Sequence, residues 1–124
     1  MSLLPNKEQK EAIEHIDGPL LALAGAGSGK TRVITERIAY LIKKGIYPNN
    51  ILAVTFTNKA AAEMRERIVL LLKEKPKGLI ISTFHSFCLR VLKAEINKLG
   101  YKNNFTIYSS SDSRTLIRSI LREI

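Results

Sequence analysis

Residues Ala24-Gly25-Ala26-Gly27-Ser28-Gly29-Lys30-Thr31 have the types and the spacing that bind a polyphosphate. Closely spaced glycines admit left-handed backbone, so several N–H groups can converge on one point and make a concave site for phosphate oxygens. A helix opening at the end of the loop adds its own N–H groups and its dipole to that point. Lys30 is then placed to reach the β- and γ-phosphates and the Thr31 hydroxyl to ligate Mg²⁺, the division of labour of the pattern G-x-x-x-x-G-K-[ST]. Ala24 stands at the first glycine position of that pattern, a mild departure, because a methyl group there need not face the phosphates. The ligand expected from these residues is a nucleoside triphosphate with Mg²⁺.

Three other clusters have chemistry to offer. Gln9 lies about twenty residues before Lys30, in a predicted short helix that also carries Ala12, Ile13 and Ile16. Its amide presents a donor and an acceptor that match the N6 and N7 edge of adenine, which would select ATP over GTP. Phe56-Thr57-Asn58-Lys59 puts an aromatic ring, a hydroxyl, an amide and an ammonium group at a strand end, where they can stack a base and hold a phosphate. The same residues also read as a core phenylalanine followed by a Thr57 or Asn58 helix cap, and capping is compatible with phosphate binding. Thr83-Phe84-His85-Ser86 ends another strand, with Ser82 or Thr83 as a cap and His85 and Ser86 as donors to a nucleic-acid backbone. No second histidine or carboxylate cluster lies near His85 to make a metal site.

The elements that must position these groups follow from the apolar pattern. Residues 20–24, 51–56 and 79–83 read as three strands, the last two as continuous apolar runs suited to burial on both faces. Between and after them run stripes of helical period: Val33, Ile34, Ile38, Leu41 and Ile42 up to Gly45; Ala61, Met64, Ile68, Leu71 and Leu72 up to Pro76 and Gly78; Phe84, Phe87, Val91, Leu92 and Leu99 up to Gly100. Strand and helix in alternation predict an α/β fold with a parallel sheet, flanking helices and right-handed crossovers. Sites in such sheets lie at the carboxyl ends of the strands, where all the strand-end motifs fall. Beyond Gly100 the character changes. Residues 105–108 could form a short strand, residues 109–112 offer several helix caps, and Leu116, Ile117, Ile120, Leu121 and Ile124 share one face of a last helix with no evident packing partner.

Composition narrows the partners. The 124 residues carry 20 Lys and Arg against 11 Asp and Glu, a formal charge of +9 that attracts polyanions and makes nucleic acid the leading partner class. The single cysteine, Cys88, excludes an internal disulfide and fits a reducing compartment. No signal peptide and no apolar run of membrane-spanning length is present, so a cytoplasmic location without membrane association is expected.

Taken together, residues 6–9, the loop 24–31, the stretch 53–64 and residues 82–87 resemble the Q motif and motifs I, Ia and Ib of UvrD/Rep/PcrA-type superfamily-one DNA helicases, in that order and spacing. The resemblance implies a P-loop NTPase (RecA-like) domain, with ATP and Mg²⁺ as cofactors. It assigns Gln9 to adenine, Arg32 to packing near the base, and residues Ala24, Gly25, Ala26, Gly27, Ser28, Gly29, Lys30 and Thr31 to the phosphates and metal. It lines a single-stranded DNA track with Phe56, Thr57, Asn58, Lys59, Thr83, Phe84, His85 and Ser86. Pro5 stands where the Q motif usually has leucine. A Walker B Asp-Glu pair, an arginine finger and a second RecA-like domain are missing from these residues, so the fold is expected to be incomplete. Residues 1–104 are expected to form the N-terminal part of the RecA-like domain, and residues 105–124 the start of an inserted helical subdomain. The parent is then a nucleoid-associated helicase of bacterial repair or replication that moves 3′ to 5′, with the remainder of its own chain as partner. The alternative is a stand-alone, non-catalytic nucleotide- or DNA-binding module.

Overall fold

The computed structural model describes residues 4–123, in two compact units, Met1–Phe87 and Cys88–Ile124. The first unit holds helix α1 (Lys7–Glu14), helix α2 (Lys30–Lys43), strand β1 (Leu52–Thr55), helix α3 (Asn58–Leu72), strand β2 (Ile80–Thr83) and the start of helix α4 (Phe84–Glu95). A 3₁₀ turn, Pro48–Asn50, leads into β1. The second unit holds the rest of α4, a 3₁₀ turn at Ile96–Leu99 and helix α5 (Ser110–Glu123).

β1 and β2 pair in parallel, with Leu52 opposite Ile80 and Thr55 opposite Thr83. Helix α3 crosses between them because its apolar stripe must find cover. Ala61, Met64 and Ile68 meet Ala53 and Ile81 from one face of the sheet and Ile38 from α2, and Ile42, Ile51, Leu72 and Leu79 pack around that core. Ile68 is fully buried. Arg65 donates to the Ile81 carbonyl at 2.5 Å, satisfying a peptide group on the edge of β2 that faces away from β1. α1 is held to α2 by Arg37, which donates to the carbonyls of Ala12 and His15 at the end of α1. That link supplies donors to carbonyls that the helix end would otherwise leave unpaired.

The first expected strand does not form. Residues 20–24 have no ladder partner among the described residues, and Leu21 and Leu23 are exposed. A strand is a paired object: the apolar run supplies the side chains for a buried strand, but only β1 and β2 are joined here. The short strand expected at residues 105–108 is likewise absent, for want of a partner. Ile16 falls beyond the end of α1, and α2 buries Thr35, Ile38 and Ala39 while Ile34 of the expected stripe is half exposed. Gly45 adopts φ +92 just past α2, as a helix stop requires. α3 ends earlier than Pro76, at Lys73 with φ 59.

Among the described residues, four of the five α-helices begin with a side-chain cap. Asn6 and Gln9 form a reciprocal capping box on α1, Thr57 accepts from Ala60 N–H on α3, and Thr83 accepts from Ser86 N–H on α4. Ser109 and Asp112 form a second reciprocal pair on α5. Among the described helices α2 alone starts without one: its cap position is Gly29, at φ +86.

α5 keeps Leu116, Ile117, Ile120 and Leu121 exposed, as expected; Ile124 lies outside the described residues. The Asp112 carboxyl is held below its ordinary 3.8 by hydrogen bonds from the Ser109 hydroxyl and backbone. A carboxylate with a lowered folded-state pKa contributes fully above the ordinary carboxylate range and loses its contribution as pH falls through the lowered value. Acid titration followed by NMR is therefore expected to give an Asp112 midpoint below 3.8, with the Ser109 amide resonance moving in step.

Candidate nucleotide site and nucleic-acid interface

The loop at residues 24–29 is folded around one carbonyl. Gly25 O accepts from Ser28 N–H at 3.3 Å, from the Ser28 hydroxyl at 2.7 Å and from Lys30 Nζ at 2.6 Å. Lys30 also donates to Ala24 O at 2.9 Å, so its ammonium group is curled back over the start of the loop. Gly27 at φ +76 and Gly29 at φ +86 make the turn that a side chain would strain. Lys30 and Thr31 open α2, which places both on the first turn beside the loop, as the motif requires.

Gln9 reaches this loop from α1. Its Nε2 donates to Ser28 O at 2.9 Å, and a Cβ added to Gly29 would sit 3.4 Å from the same nitrogen. A groove of about 760 Å³ runs past Asn6, Gln9, Ala24, Ser28 and Lys30, with Leu21 and Leu23 on its wall. Its volume is within the ~300–1,000 Å³ of small-molecule sites. Arg32 stands apart. It pairs with Glu36 at 2.5 Å and lines a separate, smaller cavity with Arg67 and Leu70.

The second cluster follows from the sheet register. Because Thr55 lies opposite Thr83, the residues that leave the two strands are level, and the rings of Phe56 and Phe84 meet with centroids 5.8 Å apart at an interplanar angle of 54°. Phe56 is 87% exposed, which excludes the core reading for that ring. Helices α3 and α4 both start here, with Asn58 and Lys59 exposed on the first turn of one and His85 and Ser86 on the first turn of the other. Thr57 and Thr83 act as caps; Thr83 also donates its hydroxyl proton to Ser86 Oγ at 2.9 Å, which leaves the Ser86 proton available to an external acceptor. Among the described residues no group of three or more His, Cys, Asp or Glu could hold a metal ion, and no helix is long and apolar enough to cross a membrane.

Sequence reasoning missed the Gln9 to Ser28 bond and the Arg37 link to α1. One hydrogen bond in the first case and two in the second join residues far apart in sequence, and no periodic signal marks such contacts.

A family model described as the UvrD/REP helicase N-terminal domain matches residues 5–124. The chain belongs to this family. Among its curated relatives, the ATP-dependent DNA helicase PcrA of Staphylococcus aureus is 49% identical over 118 residues, and that of Staphylococcus epidermidis is 50% identical over the same length. Each alignment covers 94% of this chain and 16% of the relative, so the chain spans about one sixth of the length of these relatives. The mixed helix and strand architecture with a parallel strand pair is consistent with an α/β helicase domain.

Proposed function

We propose that this chain is the ATP- and single-stranded-DNA-binding portion of an ATP-dependent DNA helicase that translocates on and unwinds DNA, 3′ to 5′, in bacterial repair or replication. Membership of the UvrD/REP family and the names of the PcrA relatives support the parent activity. In this reading Lys30 and Thr31 take the phosphates and Mg²⁺ within a RecA-like P-loop domain over residues 1–104, and residues 105–124 begin an inserted subdomain. The Lys30 ammonium and the Thr31 hydroxyl, both on the first turn of α2, would hold a Mg²⁺-triphosphate, and the metal would supply neutralisation of the phosphate charge. Gln9 reads adenine with the amide capacity its present bonds leave over. Arg32 packs near the base, which requires it to leave Glu36. The fragment binds ATP and hydrolyses it negligibly, because the Walker B carboxylates and the second RecA-like domain belong to the remainder of the parent chain. The parent works in the cytoplasm, associated with the nucleoid.

The observation that carries the DNA half of the reading is the level register of β1 and β2. It aligns an exposed aromatic pair with the first turns of two helices, so a base can stack on Phe56 or Phe84 while Thr57, Asn58, Lys59, Thr83, His85 and Ser86 line the backbone path. Fluorescence anisotropy of labelled oligo(dT) across a salt series tests it. Stacking is worth about 1–3 kcal/mol per base, so Phe56→Ala is expected to weaken binding roughly 5- to 150-fold at fixed salt. Lys59→Ala is expected to lower the salt slope by about one. Binding indifferent to both substitutions would reduce the interaction to the +9 charge and overturn the track.

A further inference from the structure

Gln9 is committed twice over within the free chain. Its Oε1 accepts from Asn6 N–H at 3.0 Å, which closes the α1 capping box, and its Nε2 donates to Ser28 O at 2.9 Å, on the phosphate loop. The two bonds fix each other's sense, because turning the amide over would set oxygen against the Ser28 carbonyl and NH₂ against the Asn6 N–H. The Asn6 side chain returns a bond to Gln9 N–H at 2.8 Å, so the glutamine backbone is anchored as well. On the loop side, Ser28 is itself tied to Gly25 by hydroxyl and amide, and the Ser28 carbonyl belongs to the peptide that leads into Gly29 at φ +86. Helix α1 therefore meets the loop, through the Gln9 amide, at the peptide that leads into the left-handed Gly29 and the start of α2.

We infer that Gln9 is a positioning residue of the phosphate loop, holding the Ser28 carbonyl from α1 whether or not a base is present. This rests on the reading of residues 24–31 as a phosphate site and adds a role that recognition of adenine does not require. An uncharged primary amide has two N–H donors and an oxygen with two lone pairs, of which one donor and one lone pair are used here. The unused donor and lone pair are what an adenine edge needs. One side chain thus joins the base end of the site to the phosphate end.

The test separates the brace from base reading by using a ligand without a base. Binding of Mg²⁺-ATP and of Mg²⁺-tripolyphosphate is measured by calorimetry for the 124-residue chain, Gln9→Met and Asn6→Ala. Methionine keeps the length, adds no charge and cannot donate. A lost neutral hydrogen bond is worth about 0.5–1.5 kcal/mol, so Q9M is expected to weaken tripolyphosphate roughly 2- to 12-fold and ATP by at least as much. N6A weakens the start of α1 but leaves the Nε2 bond, and tripolyphosphate affinity is expected to stay within about twofold. Q9M that weakens ATP and spares tripolyphosphate would overturn the brace, as would N6A matching Q9M on tripolyphosphate. A second readout needs no ligand: in the free chain the Ser28 carbonyl resonance is expected to move in Q9M and stay in place in N6A. An unmoved Ser28 carbonyl in Q9M overturns the inference even if neither ligand binds, and failure of the unmodified chain to bind either ligand counts against the phosphate site alone.

Discussion

Lys30→Ala is expected to abolish measurable Mg²⁺-ATP binding by the chain and ATP turnover by the parent. Nζ sits 2.6 Å from Gly25 O and 2.9 Å from Ala24 O, so it is already inside the loop that the phosphates would enter. Exchanging two carbonyls for phosphate oxygens keeps the ammonium group hydrogen-bonded and adds a full ionic partner. Alanine removes both, and the loss of one member of a desolvated charge pair costs about 2–5 kcal/mol, roughly 30- to several-thousand-fold in Kd. Calorimetric titration with Mg²⁺-ATP measures it. A mutant that binds within threefold of the unmodified chain would show that the loop amides alone hold the ligand.

Ile68→Ala carries a comparable effect on stability. Ile68 is fully buried in the core that α3 forms with both strands and α2, a cluster that holds Ile38, Met64 and Ile81 and two alanines, Ala53 and Ala61, too short to extend into a cavity. Such truncations cost about 2–5 kcal/mol, a large part of the ~5–15 kcal/mol that holds a domain together. Urea unfolding followed by circular dichroism is expected to show the transition moved to much lower denaturant or lost. Ile68→Val, which removes a single methyl group, should cost about 0.5–1.5 kcal/mol and keep the transition. Equal midpoints for I68A and the unmodified chain would mean that the α3 core is not what stabilises the first unit.

Much of this fold could be read in advance because its signals are local. The stripe of Ala61, Met64 and Ile68 names the buried face of α3, and Thr57 and Thr83 mark helix starts by a hydroxyl placed three residues before an open N–H. The turn at residues 24–29 is legible for the same reason: Gly27 and Gly29 supply the left-handed backbone that leads into α2 at Lys30. Residues 20–24 mark where local reading stops. Leu20, Leu21 and Leu23 have the composition of a buried strand, yet hydrogen-bonded pairing is supplied by other segments and is not encoded in the run itself. The meeting of Phe56 and Phe84 is a consequence of register, a property of two strands together. The helix that carries Gln9 is legible from its apolar residues, whereas the hold of Gln9 on Ser28 depends on how α1 lies beside the loop.

The bare start of α2 has a thermodynamic side. α1, α3, α4 and α5 complete their first turns with their own side chains, while α2 begins at Gly29 with no such group. A triphosphate seated there, as proposed, would finish the helix from outside, and ligand and fold would be linked equilibria. Free ligand at a thousand times its Kd would add about 4.1 kcal/mol to the folded state. In a cell the melting temperature of this unit would then follow the nucleotide pool.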